Sequence, residues 1–560
     1  MKKDITAITI ITILSAIAVP ITCSIFGVSF PNEVFELPHD LPSLGQFANL
    51  LICAFGTGLA LGLIGLLLYF KALKRIYFAC LYLLTILIII IDVFCLAKFG
   101  LAISPPMVSI MSDTNNTTEI AGFFETYFDA ATGAFILLLS LASWSIWHYS
   151  QNIYDFTVKH KKAFVGIIIT LVAIAHFFGH KIGGMTASAP INKTWYCVRY
   201  WYKVKNTIAK MSSDKTNRVE LLDNKSDTPY FVFIIGESES KHFMGLYNSK
   251  YDTTPLCQKL KDSENLFVFT DVISMKSSTA QVMTPLLSFM ENTTETIYVS
   301  SFDPIVDVFT KAGYQAFWLS NHEKMTKDLS YATYMSNRCD YATFTSKTSG
   351  NAEYTPWLCT KDEALLPPLD NYLQKEALQK NKNLFILQIM GSHIRYRDRY
   401  PDTYKRFKEE DIWEEGFRQE QKALLAEYLN TIYYTDFVLN EIITRFKDKD
   451  AIVVYVSDHA EEMWQSGFQG HGPTNISKYM VEIPMLIWTS DQYKENRPAK
   501  LEQIKNSLNK PFMTDNLVHV LLDLAGITTR QYNPQKSLIN SSYIPAERVI
   551  NGIKYEDLRK

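Results

Sequence analysis

Ile452-Val453-Val454-Tyr455-Val456-Ser457-Asp458-His459 decides how the second half of this chain is read. Five apolar residues in a row, mostly β-branched, read as a strand buried on both faces. The run then breaks into a hydroxyl, a carboxylate and an imidazole. Reading outward, similar runs occur at Tyr230–Ile235, Ala316–Leu319, Leu384–Met390 and Pro484–Trp488. Between them lie helix-like stretches such as Ile305–Ala312 and Gln419–Phe446. Strands alternating with helices predict an α/β domain with a mostly parallel sheet. In such sheets ligands collect outside the carboxyl ends of the strands.

Those strand ends share a chemistry. Tyr230–Ile235 runs into Gly236-Glu237, Leu384–Met390 into Gly391-Ser392-His393, and Ile452–Val456 into Ser457-Asp458-His459. A further imidazole follows in Gly470-His471-Gly472. One histidine after a strand is usually a cap or a core residue. Three strand ends bringing carboxylates and imidazoles to one edge point to a metal site. Mixed oxygen and nitrogen donors suit zinc, with manganese or another divalent ion as the alternative. Met275-Lys276-Ser277-Ser278-Thr279-Ala280, after the apolar segment Leu266–Ile273, offers hydroxyls. Alone, such a cluster reads as a helix N-cap. Beside a metal, one of its hydroxyls becomes an activated nucleophile.

The first third is different. A membrane-spanning helix needs roughly 20 apolar residues, and five stretches qualify: Ile8–Val28, Leu50–Phe70, Ile76–Ala97, Ala131–Trp147 and Ala163–His180. Lys2 and Lys3 precede the first like a signal peptide, but no cleavage site is clear and more spans follow, so it reads as an uncleaved helix. Lys71, Lys74, Arg75, Lys159, Lys161 and Lys162 fall in loops on one side, whereas the opposite loops carry almost no positive charge. This bias places the N-terminus in the cytoplasm and everything after His180 across the membrane. The expected organisation is a transmembrane domain at 1–182, an interfacial or bridging linker at 183–227, and a soluble catalytic domain at 228–560. Asp92, inside the third span, reads either as a functional or pairing acid or as one reaching water or a neighbouring helix. Trp195–Val204, rich in Trp and Tyr, reads as an interfacial segment or an anchoring linker.

A net charge of −2 over 560 residues gives no electrostatic case for a nucleic-acid partner. Eight cysteines without a C-x-x-C exclude a zinc ribbon or thioredoxin-like site. Cys23, Cys53, Cys80 and Cys95 read as small apolar residues in the membrane part. Cys339 and Cys359 are the disulfide candidates if the soluble part is extracytoplasmic.

Taken together, Gly236-Glu237, Tyr251-Asp252-Thr253-Thr254-Pro255, Thr279-Ala280, Met390-Gly391-Ser392-His393, Ser457-Asp458-His459 and Gly470-His471-Gly472, behind five spans, resemble the phosphoethanolamine transferases of lipid A and lipopolysaccharide. These belong to the alkaline phosphatase and sulfatase superfamily. The resemblance runs over nearly the whole chain. It implies a five-helix membrane domain in the bacterial inner membrane and a sulfatase-like domain in the periplasm. It implies zinc held by Glu237, Thr279, Asp458 and His459, with Thr279 as nucleophile. His393 and His471 would contact the phosphoryl group or a second zinc admitted during turnover. Glu461 falls at a substrate-binding acid, and Asn321 is a further candidate for the phosphoethanolamine pocket. The implied partners are phosphatidylethanolamine as donor, lipid A or lipopolysaccharide as acceptor, and membrane lipid; the implied state is a monomer, and the implied phenotype is resistance to cationic peptides.

The chain also departs from that pattern. No cysteines flank Thr279, and Pro285 lies one residue further from it, which keeps Ser278 as a lesser candidate nucleophile. Ala460 replaces a usual Gly, and Gln388 stands where some members have His. The acceptor group stays open. The rival readings are a glycerol-phosphate transferase or polymerase of the lipoteichoic acid synthase type, and a non-catalytic membrane scaffold. A sulfatase in the narrow sense needs a C/S-x-P-x-R motif, and none follows Met275.

Overall fold

The structure is a computed structural model. It describes residues 4–13, 44–99, 103, 108, 128, 130–163, 165–167, 169–170, 190–294, 296–323, 331–346, 360–375, 381–472 and 476–559. The chain divides into two compact units, one up to Tyr202 and one from Lys203 onward.

In the first unit the second, third and fourth expected spans overlap the helices Leu44–Ile64, Lys71–Phe99 and Ala130–Lys159, the second running on past the end of its helix at Ile64. Among the described residues, one helical stretch, Lys71–Cys95, is long and apolar enough to cross a membrane. Most of the first expected span, 14–28, and much of the fifth, 171–180, lie outside the described residues. Leu83, Leu84 and Leu87 are exposed on the helix Lys71–Phe99, the outward apolar face that a lipid environment would cover. Asp92 is buried, and its Oδ1 accepts the backbone N–H of Ile103 at 2.7 Å. One oxygen of this carboxylate thus meets a backbone donor. Trp195–Val204 lies in the helix Pro190–Ser213 with Trp195 exposed.

The second unit is built on a seven-stranded sheet: β1 (Tyr230–Gly236), β2 (Leu266–Phe269), β3 (Gln315–Glu323), β4 (Tyr341–Ser346), β5 (Asn383–Gln388), β6 (Ala451–Ser457) and β7 (Met485–Thr489). Their spatial order is β2-β7-β6-β1-β5-β3-β4. β6, β1, β5, β3 and β4 pair in parallel. β7 runs against both its neighbours, so the sheet is mixed rather than uniformly parallel. Outside this sheet, Leu221–Asn224, within the expected linker, pairs antiparallel with Ile527–Thr529.

Side chains alternate across the sheet with period two. Phe231, Phe233, Ile235, Leu384, Ile386, Ile452, Val454 and Val456 face one core, joined by Leu517, Val520 and Leu521 of the helix Leu517–Ala525. Val232, Ile234, Phe385, Leu387, Val453 and Tyr455 face the other, against Val438, Leu439 and Ile442 of the helix Gln419–Thr444. Both faces are covered by helices, which is why the central strands read as continuous apolar runs. Register then does the positioning: Ile235 pairs with Gln388 and Gly236 with Ser457. The residues that follow β1, β5 and β6 therefore emerge side by side.

Cys339 is a free thiol whose Sγ donates to the Met335 carbonyl oxygen at 3.5 Å. Cys359, its expected partner, lies outside the described residues.

Candidate active site and metal centre

Glu237, Asp458 and His459 are buried and bring one donor atom each within 4.8 Å of one another. Local backbone geometry aims them. Gly236 must be glycine, because a Cβ there would overlap Tyr455 on the neighbouring strand. Ser238 then adopts the left-handed conformation (φ 59°), uncommon for a residue with a side chain. That turn points Ser238 N–H at Asp458 Oδ1 (3.2 Å) and Ser238 Oγ–H at Glu237 Oε1 (2.8 Å). Asp458 Oδ1 also accepts the backbone N–H of His459 at 2.7 Å. Its other oxygen, Oδ2, is buried with no hydrogen-bond partner. His459 Nδ1 lies 3.2 Å from the carbonyl oxygen of Ala460. Donating there turns Nε2 toward the carboxylates, where it carries a proton in the metal-free site and would give its lone pair to a bound cation.

Thr279 opens the helix Thr279–Leu286. Its Oγ1 lies 3.0 Å from Glu237 Oε2 and 3.2 Å from His459 Nε2, and the residue stays half-buried. The preceding loop is pinned to the rest of the site, Ser274 Oγ donating to the Asp458 carbonyl and Ser277 Oγ to the Gly472 carbonyl at 2.5 Å. Ser278 Oγ turns away to Gln281 Oε1 at 2.9 Å. The hydroxyl that joins the cluster is therefore that of Thr279.

The cluster behaves as a cavity for positive charge. Burial and the neighbouring Glu237 charge push Asp458 up to about 7. Burial opposes charge on His459 as well, yet Asp458 and Glu237 raise it to about 10. Burial also works against Glu237, but the hydrogen bond and charge of His459 hold its carboxyl well below the usual range. Two crowded carboxylates, one with an Oδ2 that lacks a hydrogen-bond partner, and an imidazole turned toward them fit the donor set of a divalent metal.

The remaining candidates separate. His471 lies against His459 with ring centroids 4.1 Å apart, and its Nδ1 is 2.6 Å from Glu461 Oε2. Glu461 is fully buried, and its Oε1 accepts from Tyr396 Oη at 2.8 Å. Both carboxylate oxygens are thus engaged, and the acid stands behind His471. His393 follows β5 on a loop held by Asp362, which accepts from Met390 N (2.8 Å) and Gly391 N (2.9 Å). These bonds end β5 two residues before the expected Met390. Gly391 (φ 47°) brings the loop so close to β1 that a Cβ would lie 2.8 Å from the Glu237 carbonyl oxygen. Burial and then the Arg399 charge push His393 down to about 3, so it is neutral. Asn321 spends all four hydrogen-bonding positions on protein: Nδ2 donates to Thr360 O (2.9 Å) and Asp362 Oδ1 (2.7 Å), and Oδ1 accepts from Thr345 (2.7 Å) and Thr360 (2.6 Å).

Sequence reading missed Arg399, Tyr396, Asp362 and His322. His322, the penultimate residue of β3, has its Nε2 2.9 Å from the Ile389 carbonyl oxygen. Asn321-His322 after an apolar run was the one available signal.

A family model described as Sulfatase matches residues 229–527, and the chain belongs to that family. Its soluble unit is a sulfatase-family enzyme domain. Within this class the chain is similar to phosphoethanolamine transferases, as its motifs suggest. Phosphoethanolamine transferase EptC of Escherichia coli strain K12 is 25% identical over 478 residues, covering 81% of this chain and 80% of that protein. The zinc complex of the C-terminal periplasmic domain of EptC from Escherichia coli matches at 26% identity and a TM-score of 0.54, covering 61% of this chain and 96% of that one. The integral membrane protein lipooligosaccharide phosphoethanolamine transferase A from Neisseria meningitidis shares the fold at 16% identity, with a TM-score of 0.59 over 95% of this chain and 97% of that one.

Proposed function

We propose that this protein transfers phosphoethanolamine from phosphatidylethanolamine to lipid A or the core sugars of lipopolysaccharide. The observation that carries the reading is the Thr279 hydroxyl lying between Glu237 and His459 at the sheet edge. The named activity of the relatives supplies the transferred group. The proposed setting is the bacterial inner membrane, with five spans and the catalytic unit in the periplasm.

Glu237, Asp458, His459 and Thr279 would hold one zinc ion. When bound, zinc lowers the pKa of a hydroxyl and stabilises charge on phosphoryl oxygens. Thr279 Oγ attacks phosphorus, and the bond from phosphorus to the glycerol oxygen breaks. Diacylglycerol leaves with a proton, and phosphoethanolamine stays on Thr279 as an ester. An acceptor oxygen then attacks the same phosphorus, and Thr279 recovers its proton. Two displacements through one enzyme-bound group give ping-pong kinetics. Capping phosphate charge with an ethanolamine cation weakens electrostatic attraction of cationic peptides to the surface.

The test is to incubate the full-length protein with phosphatidylethanolamine carrying a fluorescent acyl chain. Labelled diacylglycerol and a phosphoethanolamine mass on the Thr279 peptide are expected, and both vanish in Thr279→Ala. An adduct on Ser278 would move the nucleophile. No release from zinc-loaded protein, with release from phosphatidylglycerol instead, would replace the donor by glycerol phosphate.

A further inference from the structure

His393 and His471 look interchangeable in sequence, but their buried partners make them chemically opposite. His471 Nδ1 faces a carboxylate, Glu461 Oε2, at 2.6 Å. A carboxylate accepts, so Nδ1 carries the proton and Nε2 presents a lone pair. Glu461 is itself fixed, because its second oxygen accepts from Tyr396, whose hydroxyl in turn accepts from Gln469 Nε2 at 3.2 Å.

His393 Nδ1 faces a guanidinium instead, with Arg399 Nη2 at 3.1 Å. Arginine has only donors and does not lose its charge in proteins. His393 Nδ1 must therefore accept, and the ring proton sits on Nε2. Arg399 is 8% exposed, and it is anchored as well: Nε donates to the His393 carbonyl at 3.1 Å and Nη2 to the Ile394 carbonyl at 2.8 Å. The loop it grips is fixed at its other end, where Ser392 N donates to the Glu237 carbonyl at 2.9 Å and Ser392 Oγ meets Thr431 Oγ1 at 2.7 Å.

We infer that Arg399 is a positioning residue that locks His393 as an Nε2–H hydrogen-bond donor to a non-bridging phosphoryl oxygen. The inference rests on the phosphoryl-transfer reading above and divides the labour between the two histidines. His393 stabilises charge gathering on the phosphoryl group and acts neither as a base nor as a metal ligand. His471, its Nδ1–H held by the Glu461 carboxylate, presents an acceptor at Nε2 instead. A fixed donor of this kind costs no reorganisation as charge develops.

Glutamine distinguishes these roles, since its side-chain N–H₂ reaches the place of imidazole Nε2 but can neither take up a proton at neutral pH nor replace an imidazole on a metal. We would measure kcat and KM for diacylglycerol release with full-length His393→Gln, His393→Asn, His393→Ala and His471→Gln. Zinc content and thermal stability would be followed in parallel. His393→Gln is expected to stay within about tenfold of wild type in kcat, whereas His393→Ala and His393→Asn lose about 10²–10³, the usual cost of a deleted charge-stabilising donor. His471→Gln is expected to fall as far as deletion. Arg399→Lys and Arg399→Met are then tested in the wild-type and His393→Gln backgrounds. Arg399→Met should cost far more in kcat when His393 is present than when glutamine replaces it, a coupling that a purely structural role would not give. Arg399→Lys serves the same comparison if Arg399→Met does not fold. An active wild type in which His393→Gln is as dead as His393→Ala, or in which Arg399 variants cost the same in both backgrounds, overturns the inference alone. A zinc-loaded wild type that transfers nothing overturns the phosphoryl-transfer reading and the inference with it.

Discussion

Thr279 Oγ1 sits 3.0 Å from Glu237 Oε2, although 42 residues separate them in sequence. The hydroxyl is thereby committed to the carboxylate cluster, whereas the adjacent Ser278 hydroxyl is committed to Gln281. Thr279→Ala is expected to lower the transfer rate by roughly 10³ or more, the scale of a lost nucleophile, and to abolish the covalent adduct. Ser278→Ala should keep both. Intact-mass spectrometry after a single turnover checks the pair, and an adduct surviving in Thr279→Ala would refute the assignment.

Metal removal should cost stability in a way that one substitution reverses. Ligand bound only to the folded state at a hundredfold its Kd stabilises by about 2.7 kcal/mol, so chelation should lower the Tm. In chelator, Asp458→Asn should melt above the wild type, because it removes one of two crowded carboxylates. With zinc present the order should invert. Melting curves of both proteins with and without zinc decide this, and a variant that still gains Tm from zinc like the wild type would count against Asp458 as a ligand.

His459 gives a pH dependence with a defined sign. In the metal-free protein Asp458 and Glu237 raise its pKa to about 10, against roughly 6.5 when unfolded. The folded state then binds more protons between those values. Its contribution is complete below about pH 6.5 and is lost as pH rises through about 10. Chelated wild type should therefore lose Tm across that window more steeply than chelated His459→Gln. Parallel slopes would remove His459 as the cause.

Asn321 is expected to act through stability. Asn321→Ala strands Asp362, Thr345 and Thr360, and should cost about 1–3 kcal/mol without a matching rise in KM for the lipid. A large KM change at unchanged Tm would return it to the substrate pocket.

Much of this was legible in sequence because buried parallel strands advertise themselves as apolar runs, and the functional side chains directly follow them. Gly236-Glu237 and Ser457-Asp458-His459 are found by that rule alone. The reversed direction of β7 was not legible, since Met485–Thr489 has the same apolar composition whichever way it runs. Glu461 stands out by resemblance and Asn321 by its place just past Trp318, but the partners that engage their hydrogen bonds, Tyr396 and Thr360, lie 65 and 39 residues away. Arg399 is one of three arginines in an irregular loop, and only the fold selects the one that meets His393.

The pairing of Ser238 with Asp458 spans 220 residues of chain. At about 5–20 residues per second of synthesis, Glu237 leaves the ribosome roughly ten to forty seconds before Asp458. Until then the glutamate must wait without its partners, so the buried Glu237, Asp458 and His459 cluster assembles only in a nearly finished polypeptide.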